Sequence, residues 1–322
     1  MKAIQFDRLG GPEVMYLGEV PKPELRPGTV IVKNEVITIN FGDIFFTRGE
    51  YIVKPVFPDT PGMEAAGIVD AVAPDVTELK PGMRVAYIGM GSYADFTRIR
   101  PSRVIPLPDF MSFEQGAALP IAMLTAWHML HTIHQTRPGQ TVLVHSAAGG
   151  VGIAAVQIAK AAGARVIGTV SSADKAALVS NFGADEVIDY ETQDFAAEVM
   201  RLSDGRGIDL VLDAVGKPTF EKGIKCLAPF GHMILFGRAG GLPDPLNVAK
   251  LMEKSLTVSA FVLPLIYSNR EVMRRGLEHS FELIRAGKLT VPIGGSFPLA
   301  QAVEAHRFVL SRKSTGKILL IP

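Results

Sequence analysis

The sequence predicts an α/β protein in which a doubly wound parallel sheet is inserted into a smaller, barrel-like β domain. Residues 141–170 follow the order strand, glycine turn, helix and strand, which a nucleotide-binding βαβ unit requires. Strand and helix patterns keep alternating after this unit, as far as residue 262. Earlier in the chain, short β-rich runs are separated by Pro and Gly, a pattern typical of a small β barrel.

The N-terminal domain is predicted from four β-rich runs, at residues 29–39, 65–72, 84–88 and 93–99. A Pro-Gly pair precedes two of these runs, where Pro fixes φ and Gly opens the turn. The first helix signal is a capping box at residues 112–115, and it starts a helical region that reaches residue 130.

The glycine turn of the βαβ unit reads AAGGVG and resembles G-x-G-x-x-G with only the first glycine replaced, by Ala147. Gly149 lets the backbone approach a pyrophosphate, and Gly152 lets the helix pack closely on the strand. The first N–H groups of the helix then face the phosphate. The predicted cofactor-binding residues of the turn are Ala147, Ala148, Gly149, Gly150, Val151 and Gly152. The alternative is an ordinary glycine-rich turn that binds no nucleotide.

The residues after the second strand favour NADPH over NADH. An NAD site usually has a carboxylate near the end of that strand, whereas this chain has Ser171 and Ser172, with Lys175 in the next turn. Tyr190 follows the third predicted strand at the same edge. Hydroxyls and an ammonium suit a 2′-phosphate. Alternatively, the serines cap a helix, Lys175 lies on a solvated face, and Asp174 binds a ribose hydroxyl.

The rest of the chain predicts the domain organisation. Strand signals recur at residues 209–213, 232–236 and 256–262 between helical stretches, and a long helix at 270–287 precedes strand-like segments that return to the first domain. We therefore expect a catalytic domain at 1–124 and 264–322, with a nucleotide domain at 125–263 between its parts. The cleft between the domains is the expected active site.

Composition narrows the range of partners. A net charge of +1 with scattered Lys and Arg argues against nucleic acid. The longest apolar stretches, such as residues 116–124, are too short to span a bilayer, and the N-terminus lacks the pattern of a signal peptide. The single cysteine, Cys226, excludes an internal disulfide and suits a reducing cytoplasm.

Taken together, these motifs resemble those of the zinc-independent quinone oxidoreductase (zeta-crystallin-like) family of the medium-chain dehydrogenase/reductase superfamily. The resemblance covers nearly the whole chain. Its markers are INFGDIFFTRGEY, PGMEAAGIV, SFEQGAALPIAMLTAW, AAGGVG and STGKILLIP. It implies a GroES-like β-barrel catalytic domain, a Rossmann domain, and a homodimer formed through the edge strand at residues 256–262.

The resemblance also implies site residues. Asn40 and Asp43 are expected at the nicotinamide end and Thr125 beside the ring. The residues expected to approach the cofactor are Phe236, Gly237, Phe261 and Lys317. Three of these residues have a structural alternative, in which Asn40 closes a turn, Asp43 caps a helical turn and Lys317 is an exposed strand residue.

No metal is expected. Where zinc enzymes of the superfamily have C-x-x-D and G-H-E, this chain has residues 40–43 reading NFGD and residues 62–64 reading GME. His128, His131 and His134 recur at every third position, but such positions spread around a helix, and we interpret them as a solvated helix face.

Without a metal to polarise the substrate, the expected reaction is hydride transfer to an electron-poor acceptor. A quinone is favoured, and the carbon–carbon double bond of an enone or enal is the alternative. The tyrosine common in this family's cleft is Phe45 here, so Tyr51 is the remaining candidate donor to a substrate oxygen, or else a packing residue. A non-catalytic NADPH-binding module, crystallin-like or RNA-binding, is a third interpretation.

Overall fold

The computed structural model describes all 322 residues, and the chain divides into two compact units. Unit 1 comprises Met1–Ile121 and Val291–Pro322, and unit 2 comprises Ala122–Thr290. The predicted insertion of one domain into another is therefore confirmed. None of the helices combines the length and the apolar character that crossing a bilayer requires.

The first part of unit 1 is mostly β-structure. Its strands are β1 (Lys2–Phe6), β2 (Met15–Glu19), β3 (Val30–Thr38), β4 (Glu64–Val72), β5 (Arg84–Ile88), β6 (Phe96–Ile99) and β7 (Val104–Pro106). Its helices are α1 (Phe41–Thr47) and α2 (Phe113–Ala118), with 3₁₀ turns at Pro12–Val14 and Pro101–Arg103. The predicted capping box is present at the start of α2, where Ser112 and Gln115 exchange hydrogen bonds between side chain and backbone.

The helical region that follows α2 contains two π-helical turns, at Leu119–Met123 and Met129–Ile133, on either side of α3 (Leu124–His128). Pro120 lies in the first of these turns. Because proline has no N–H to donate, the regular α-helical ladder cannot pass through it unchanged. The sequence predicted a helical region that reaches residue 130 and did not indicate the wider π-helical turns.

Unit 2 contains a parallel sheet with helices between successive strands. The strands are β8 (Thr141–Val144), β9 (Arg165–Val170), β10 (Glu186–Asp189), β11 (Ile208–Asp213), β12 (Leu227–Leu235) and β13 (Thr257–Ala260). The further helices are α4 (Gly150–Ala161), α5 (Ala173–Asn181), α6 (Phe195–Leu202), α7 (Phe220–Lys225), α8 (Ala249–Met252) and α9 (Arg270–Arg285), with a 3₁₀ helix at Leu263–Ser268.

The sheet order in unit 2 is β10-β9-β8-β11-β12-β13, and every neighbouring pair is parallel. The chain order therefore reverses between β8 and β11, as in a doubly wound nucleotide-binding sheet. All four residues of β8 are buried, which is expected for a central strand covered on both faces. This confirms the predicted fold class.

The chain re-enters unit 1 with β14 (Ile293–Pro298), a 3₁₀ turn at Leu299–Gln301, α10 (Ala302–Leu310) and β15 (Lys317–Ile321). These strands complete a sheet of order β14-β15-β3-β4-β5-β7, in which β6 also pairs with β3. Leu319 of β15 pairs with Thr38 of β3, so the start of β15 lies beside the end of β3. This register brings Lys317 next to Asn40.

The boundaries differ from those expected. The first lies after Ile121 rather than after residue 124, and the return to unit 1 occurs at Val291 rather than at residue 264. The reason for the later return is that α9 packs on α3 inside unit 2. A Cβ added to Gly276 of α9 would lie 2.7 Å from His128 Nε2, and Trp127 Nε1 donates to His279 Nδ1 at 3.0 Å.

The histidine interpretation is wrong, because these side chains do not form a solvated face. His128 is fully buried and its Nδ1 contacts the Thr132 hydroxyl at 2.9 Å. Burial lowers the pKa of His128 and of His131 to about 4. Their rings pack on Trp127, with centroids 4.9 Å apart in each case. His134, also half-buried, contacts His232 at 3.2 Å.

Candidate active site

The glycine turn of unit 2 connects β8 to α4 and ends with Gly149 as the N-cap residue of the helix. Glycine offers no side chain to cap the helix, so the first-turn N–H groups of α4 have no capping oxygen. A hydrogen bond fixes the turn to the neighbouring strand β9, because the Ala147 N–H donates to the Thr169 carbonyl at 3.1 Å. An uncapped helix N-terminus of this kind suits an anion such as a phosphate.

The two glycines of the turn differ in what surrounds them. A Cβ on Gly152 would lie 2.3 Å from the Ser146 oxygen and 2.7 Å from Ala147 Cα, so only glycine fits this helix–strand contact. A Cβ on Gly149 would come no closer than 3.4 Å to the Ser146 oxygen. The protein therefore leaves space at Gly149, where a pyrophosphate needs to approach the backbone. Both features fit a bound dinucleotide.

Ser171, Ser172 and Lys175 lie together just after β9. The Lys175 ammonium donates to the Ser171 hydroxyl at 3.5 Å, and the Ser172 hydroxyl caps α5 by accepting from the Lys175 N–H at 3.4 Å. The capping alternative for Ser172 is thus correct. Tyr190 follows β10 and its N–H donates to the Val170 carbonyl at 3.0 Å, which places it at the same edge.

Three further candidates follow the last strands of the sheet. Phe236 and Gly237 come directly after β12, and the Phe236 N–H donates to the Asp213 carbonyl at 2.9 Å. Phe261 comes directly after β13 and is buried. Because the carboxyl ends of parallel strands share one edge, these residues lie at the same edge as the glycine turn. Thr125 lies in α3 and is also buried.

In unit 1 the predicted residues belong to a buried polar network. The Lys317 ammonium, only 3% exposed, donates to the Ile39 carbonyl at 3.1 Å, to Asn40 Oδ1 at 2.8 Å and to Glu64 Oε1 at 2.8 Å. The alternative in which Lys317 is an exposed strand residue is therefore wrong. An ammonium has three N–H donors, and all three are used here. A direct bond from Lys317 to a cofactor would have to replace one of them.

Glu64 balances this charge from the first position of β4. Its Oε1 also accepts from the Asn40 amide at 2.9 Å and from the Thr38 hydroxyl, while its Oε2 accepts from the Ile121 N–H at 2.7 Å. The side chain is completely buried. A buried carboxylate with this many donors is well compensated, which is the condition for a stable internal charge.

Asp43 lies in the first turn of α1 and caps it. Its Oδ2 accepts from the Asn40 N–H at 2.7 Å and from the Tyr93 hydroxyl at 3.1 Å, whereas its buried Oδ1 has no partner. The capping alternative for Asp43 is thus correct. Burial raises the pKa of this carboxyl to about 7, although the Asn40 hydrogen bond and the Lys317 charge oppose the shift.

The Asp43 network extends to a histidine. The Tyr93 hydroxyl contacts His306 Nε2 at 2.9 Å, and both side chains are fully buried. Burial lowers the pKa of His306 to about 4, so its ring is neutral at pH 7. Since the Tyr93 hydrogen points to Asp43, His306 Nε2 carries the hydrogen in their contact.

Tyr51 is half-buried near this group. A Cβ on Gly42 would lie 3.4 Å from Tyr51 Cε2, so the ring packs against the start of α1. Burial raises the pKa of the Tyr51 hydroxyl, and the charge of Asp43 raises it further. The hydroxyl is therefore protonated at neutral pH and able to donate a hydrogen bond.

Sequence reasoning did not select Glu64, Tyr93 and His306 as site residues. Glu64 carries a signal, since a carboxylate that begins an apolar strand (EAAGIV) is unusual unless it is paired. Tyr93 and His306 have no such signal in the sequence. Their contact joins residues 213 positions apart, and no local pattern encodes it.

Comparisons with known proteins agree with this architecture. A family model described as Alcohol dehydrogenase GroES-like domain matches residues 26–109, and one described as Zinc-binding dehydrogenase matches residues 150–279. A quinone oxidoreductase from Pseudomonas aeruginosa is 39% identical over 100% of this chain and 99% of that protein. A 2-haloacrylate reductase from Burkholderia sp. is 35% identical over 99% of this chain and 98% of that protein.

A solved structure extends the similarity to three dimensions. The crystal structure of Escherichia coli quinone oxidoreductase complexed with NADPH matches this chain with a TM-score of 0.96 and 35% identity, over 100% of both chains. The chain belongs to the quinone oxidoreductase family of medium-chain dehydrogenases/reductases. The family resemblance drawn from the sequence motifs is confirmed.

One family model carries zinc in its description, yet the side chains at the corresponding place have other partners. Asn40 and Glu64, at the positions where zinc-dependent relatives were expected to have ligand motifs, share the Lys317 ammonium. No group of three or more His, Cys, Asp or Glu in the structure is arranged to hold a metal ion. In this member of the quinone oxidoreductase family, an ammonium is the cation of that network.

Proposed function

We propose that this protein is an NADPH-dependent quinone oxidoreductase that transfers hydride without a metal ion. The observation that carries the proposal is full-length similarity to quinone oxidoreductases, one of them solved with NADPH. The uncapped start of α4 and the space at Gly149 support it, because they fit the cofactor.

In this proposal unit 2 binds NADPH. The glycine turn from Ala147 to Gly152 receives the pyrophosphate, and the 2′-phosphate lies against Ser171, Ser172, Lys175 and Tyr190. Phe236, Gly237 and Phe261 line the nicotinamide half, with Thr125 beside the ring. When bound, NADPH supplies the hydride. The preference for NADPH rests on the Lys175–Ser171 pair, since an ammonium and a hydroxyl suit a phosphate.

Unit 1 is proposed to act on the acceptor. Asn40 and Tyr51 each have an N–H or O–H that can donate to an acceptor oxygen, and Asp43 holds the start of α1 in place through the Asn40 N–H. Hydrogen bonds to an oxygen that gains negative charge stabilise the transition state more than the ground state. For Lys317 we propose a positioning role in place of direct cofactor contact, because its donors are already used.

A second candidate is reduction of an activated carbon–carbon double bond. The 2-haloacrylate reductase that resembles this chain over its whole length favours it. The same hydride donor and the same oxygen-directed donors would serve both reactions, because in both a negative charge develops on a carbonyl oxygen.

The deciding experiment compares acceptors. NADPH oxidation is followed with a flat aromatic ortho-quinone and with a medium-chain 2-alkenal, and NADH is the cofactor control. Faster turnover of the quinone supports the proposal, whereas a strong preference for the alkenal makes the protein a double-bond reductase. Tight NADPH binding without turnover of either acceptor overturns both candidates and favours a binding module.

The proposal includes the assembly and location expected from the sequence. β13 is the last strand of its sheet and has a free edge, and Val262 and Leu265 nearby are exposed apolar side chains. We propose a homodimer formed through this edge, which the mass in solution tests. Cys226 is buried and free, and burial raises the pKa of its thiol to about 11, as suits a protein of the reducing cytoplasm.

A further inference from the structure

Seven residues of unit 1 form one connected hydrogen-bonded network, in which the Asn40 backbone N–H joins the Asp43 carboxylate to the group around the Asn40 side chain. They are Thr38, Asn40, Asp43, Glu64, Tyr93, His306 and Lys317. Six of them are buried, none more than 3% exposed, and Asn40 alone is half-buried. Among the seven, Asn40 is therefore the side chain that a small molecule can reach.

The network fixes the orientation of the Asn40 amide. Its Oδ1 accepts from the Lys317 ammonium at 2.8 Å, and its Nδ2 donates to Glu64 Oε1 at 2.9 Å. Rotating the amide by half a turn would set N–H groups against an ammonium and an oxygen against a carboxylate. Both contacts would become repulsive, so the ion pair allows one orientation only.

This orientation leaves one donor of Asn40 unused. An amide NH₂ group has two N–H bonds, and the bond to Glu64 takes one of them. The ammonium on Oδ1 draws electron density from the amide and so strengthens its N–H groups as donors. Because the ion pair is buried, solvent does not screen this effect.

We infer that the Lys317–Glu64 ion pair is a positioning device, which presents the second Nδ2–H of Asn40 to the oxygen of the hydride acceptor. The inference rests on the proposed hydride-transfer function. The hydride comes from the C4–H bond of the dihydronicotinamide, which is oxidised, and it forms a C–H bond on the acceptor, which is reduced. An electron pair of the acceptor then moves onto its oxygen, and the Asn40 N–H stabilises this oxyanion by a hydrogen bond. Asn40 keeps its hydrogen, and the oxygen is then protonated from water.

The kinetic test removes the ion pair without leaving a lone charge. Lys317→Met alone would strand a buried carboxylate, so the double variant Lys317→Met/Glu64→Gln is used. We expect kcat to fall about 100-fold, as for loss of one oxyanion donor, while the KM for NADPH stays unchanged. Asn40→Ala should cause a similar fall, and combining all three changes should cause no further loss. Additive losses would overturn the inference.

A matched control separates positioning from general damage. Asn34 is a buried asparagine of β3 outside this network, and its amide donates to the carbonyls of Ser92 and Ala94. Asn34→Ala should lower the stability of unit 1 and leave kcat unchanged. Across acceptors of increasing oxygen basicity, the double variant should lose progressively more activity than the wild type. A loss equal for all acceptors would indicate a merely structural role.

The positioning step can also be tested without turnover, so its failure differs from failure of the proposed function. The side-chain amide signals of Asn40 are assigned by NMR from their loss in Asn40→Ala. In the wild type the Nδ2–H that donates to Glu64 should resonate downfield of the other Nδ2–H and exchange slowly with water, and in Lys317→Met/Glu64→Gln both signals should shift toward those of a solvent-exposed asparagine amide. Unchanged signals in the double variant would show that the ion pair does not orient Asn40, whichever acceptor the enzyme reduces.

Discussion

At the scale of single residues, Asp43 couples the stability of unit 1 to pH. Its carboxyl is completely buried, and burial raises its pKa from the usual 3.8 to about 7. The folded state therefore binds this proton more tightly than the unfolded state. The resulting stabilisation is complete below the unfolded pKa and is lost as pH rises through about 7.

Asp43→Asn should flatten this dependence. The amide oxygen still accepts from the Asn40 N–H and the Tyr93 hydroxyl, but the side chain no longer titrates. We expect the wild type to lose a few kcal/mol of unfolding free energy between pH 4 and pH 7 at about 1.4 kcal/mol per pKa unit, and the variant to lose much less. Denaturant titrations at several pH values measure this. Exposed Asp174→Asn is the control, and identical slopes for all three proteins would contradict the assignment.

Lys175 should decide between the two nicotinamide cofactors. Lys175→Ala removes the ammonium beside Ser171, and a charge-assisted bond to a phosphate is worth about 1.5–3 kcal/mol. The Kd for NADPH should rise roughly tenfold or more, while the Kd for NADH changes little. Calorimetric titration with both cofactors measures the two constants. Equal weakening for both would remove the 2′-phosphate from this position.

The sequence identified several residues of the site but not the hydrogen bonds that join them. Asn40 and Lys317 were both selected, yet their bond joins positions 277 apart. Lys317 was expected to approach the cofactor or to be exposed, and neither expectation described a buried ion pair. Glu64 was considered only as part of the GME that stands in place of a zinc-ligand motif, while the structure makes it the counter-charge of Lys317. Burial of a charge depends on tertiary packing, which local patterns do not contain.

At the scale of elements, the glycine turn was predicted well because its signal is local. The strand, turn, helix and second strand predicted for residues 141–170 appear as β8, the glycine turn, α4 and β9. The prediction of a solvated face for the histidines of α3 and the following π turn was wrong, because their burial depends on contacts with distant parts of the chain. Their burial comes from Trp127 beside them and from α9, whose His279 lies far along the chain.

The two glycines of the turn should respond differently to the same substitution. Gly149→Ala places its Cβ at an ordinary 3.4 Å from the nearest atom, so the protein should keep its stability but bind NADPH at least tenfold more weakly. Gly152→Ala places its Cβ 2.3 Å from the Ser146 oxygen, so it should destabilise unit 2 by about 1–3 kcal/mol. Thermal unfolding and NADPH titration of both variants measure this. Equal loss of stability in the two would contradict the geometry.

At the scale of the whole molecule, the order of patterns predicted the insertion of one domain in the other. A β-rich part, a βαβ series and a final strand motif imply a chain that leaves a domain and returns to it. The return to unit 1 was expected at residue 264, which is too early, because nothing in the sequence of α9 indicates the unit on which this helix packs. Unit 2 keeps α9 through its contacts with α3, and the return begins at Val291.

We propose that hydride transfer in this protein relies on hydrogen-bond donors held by the buried Lys317–Glu64 ion pair, without a metal ion. The most direct test measures NADPH oxidation with an ortho-quinone before and after exhaustive chelation, and then after addition of zinc. We predict that chelation leaves kcat and the KM for the quinone unchanged and that added zinc does not increase activity, because Lys317 is the cation of the network. Loss of activity on chelation that zinc restores would show that a metal ion takes part in the reaction.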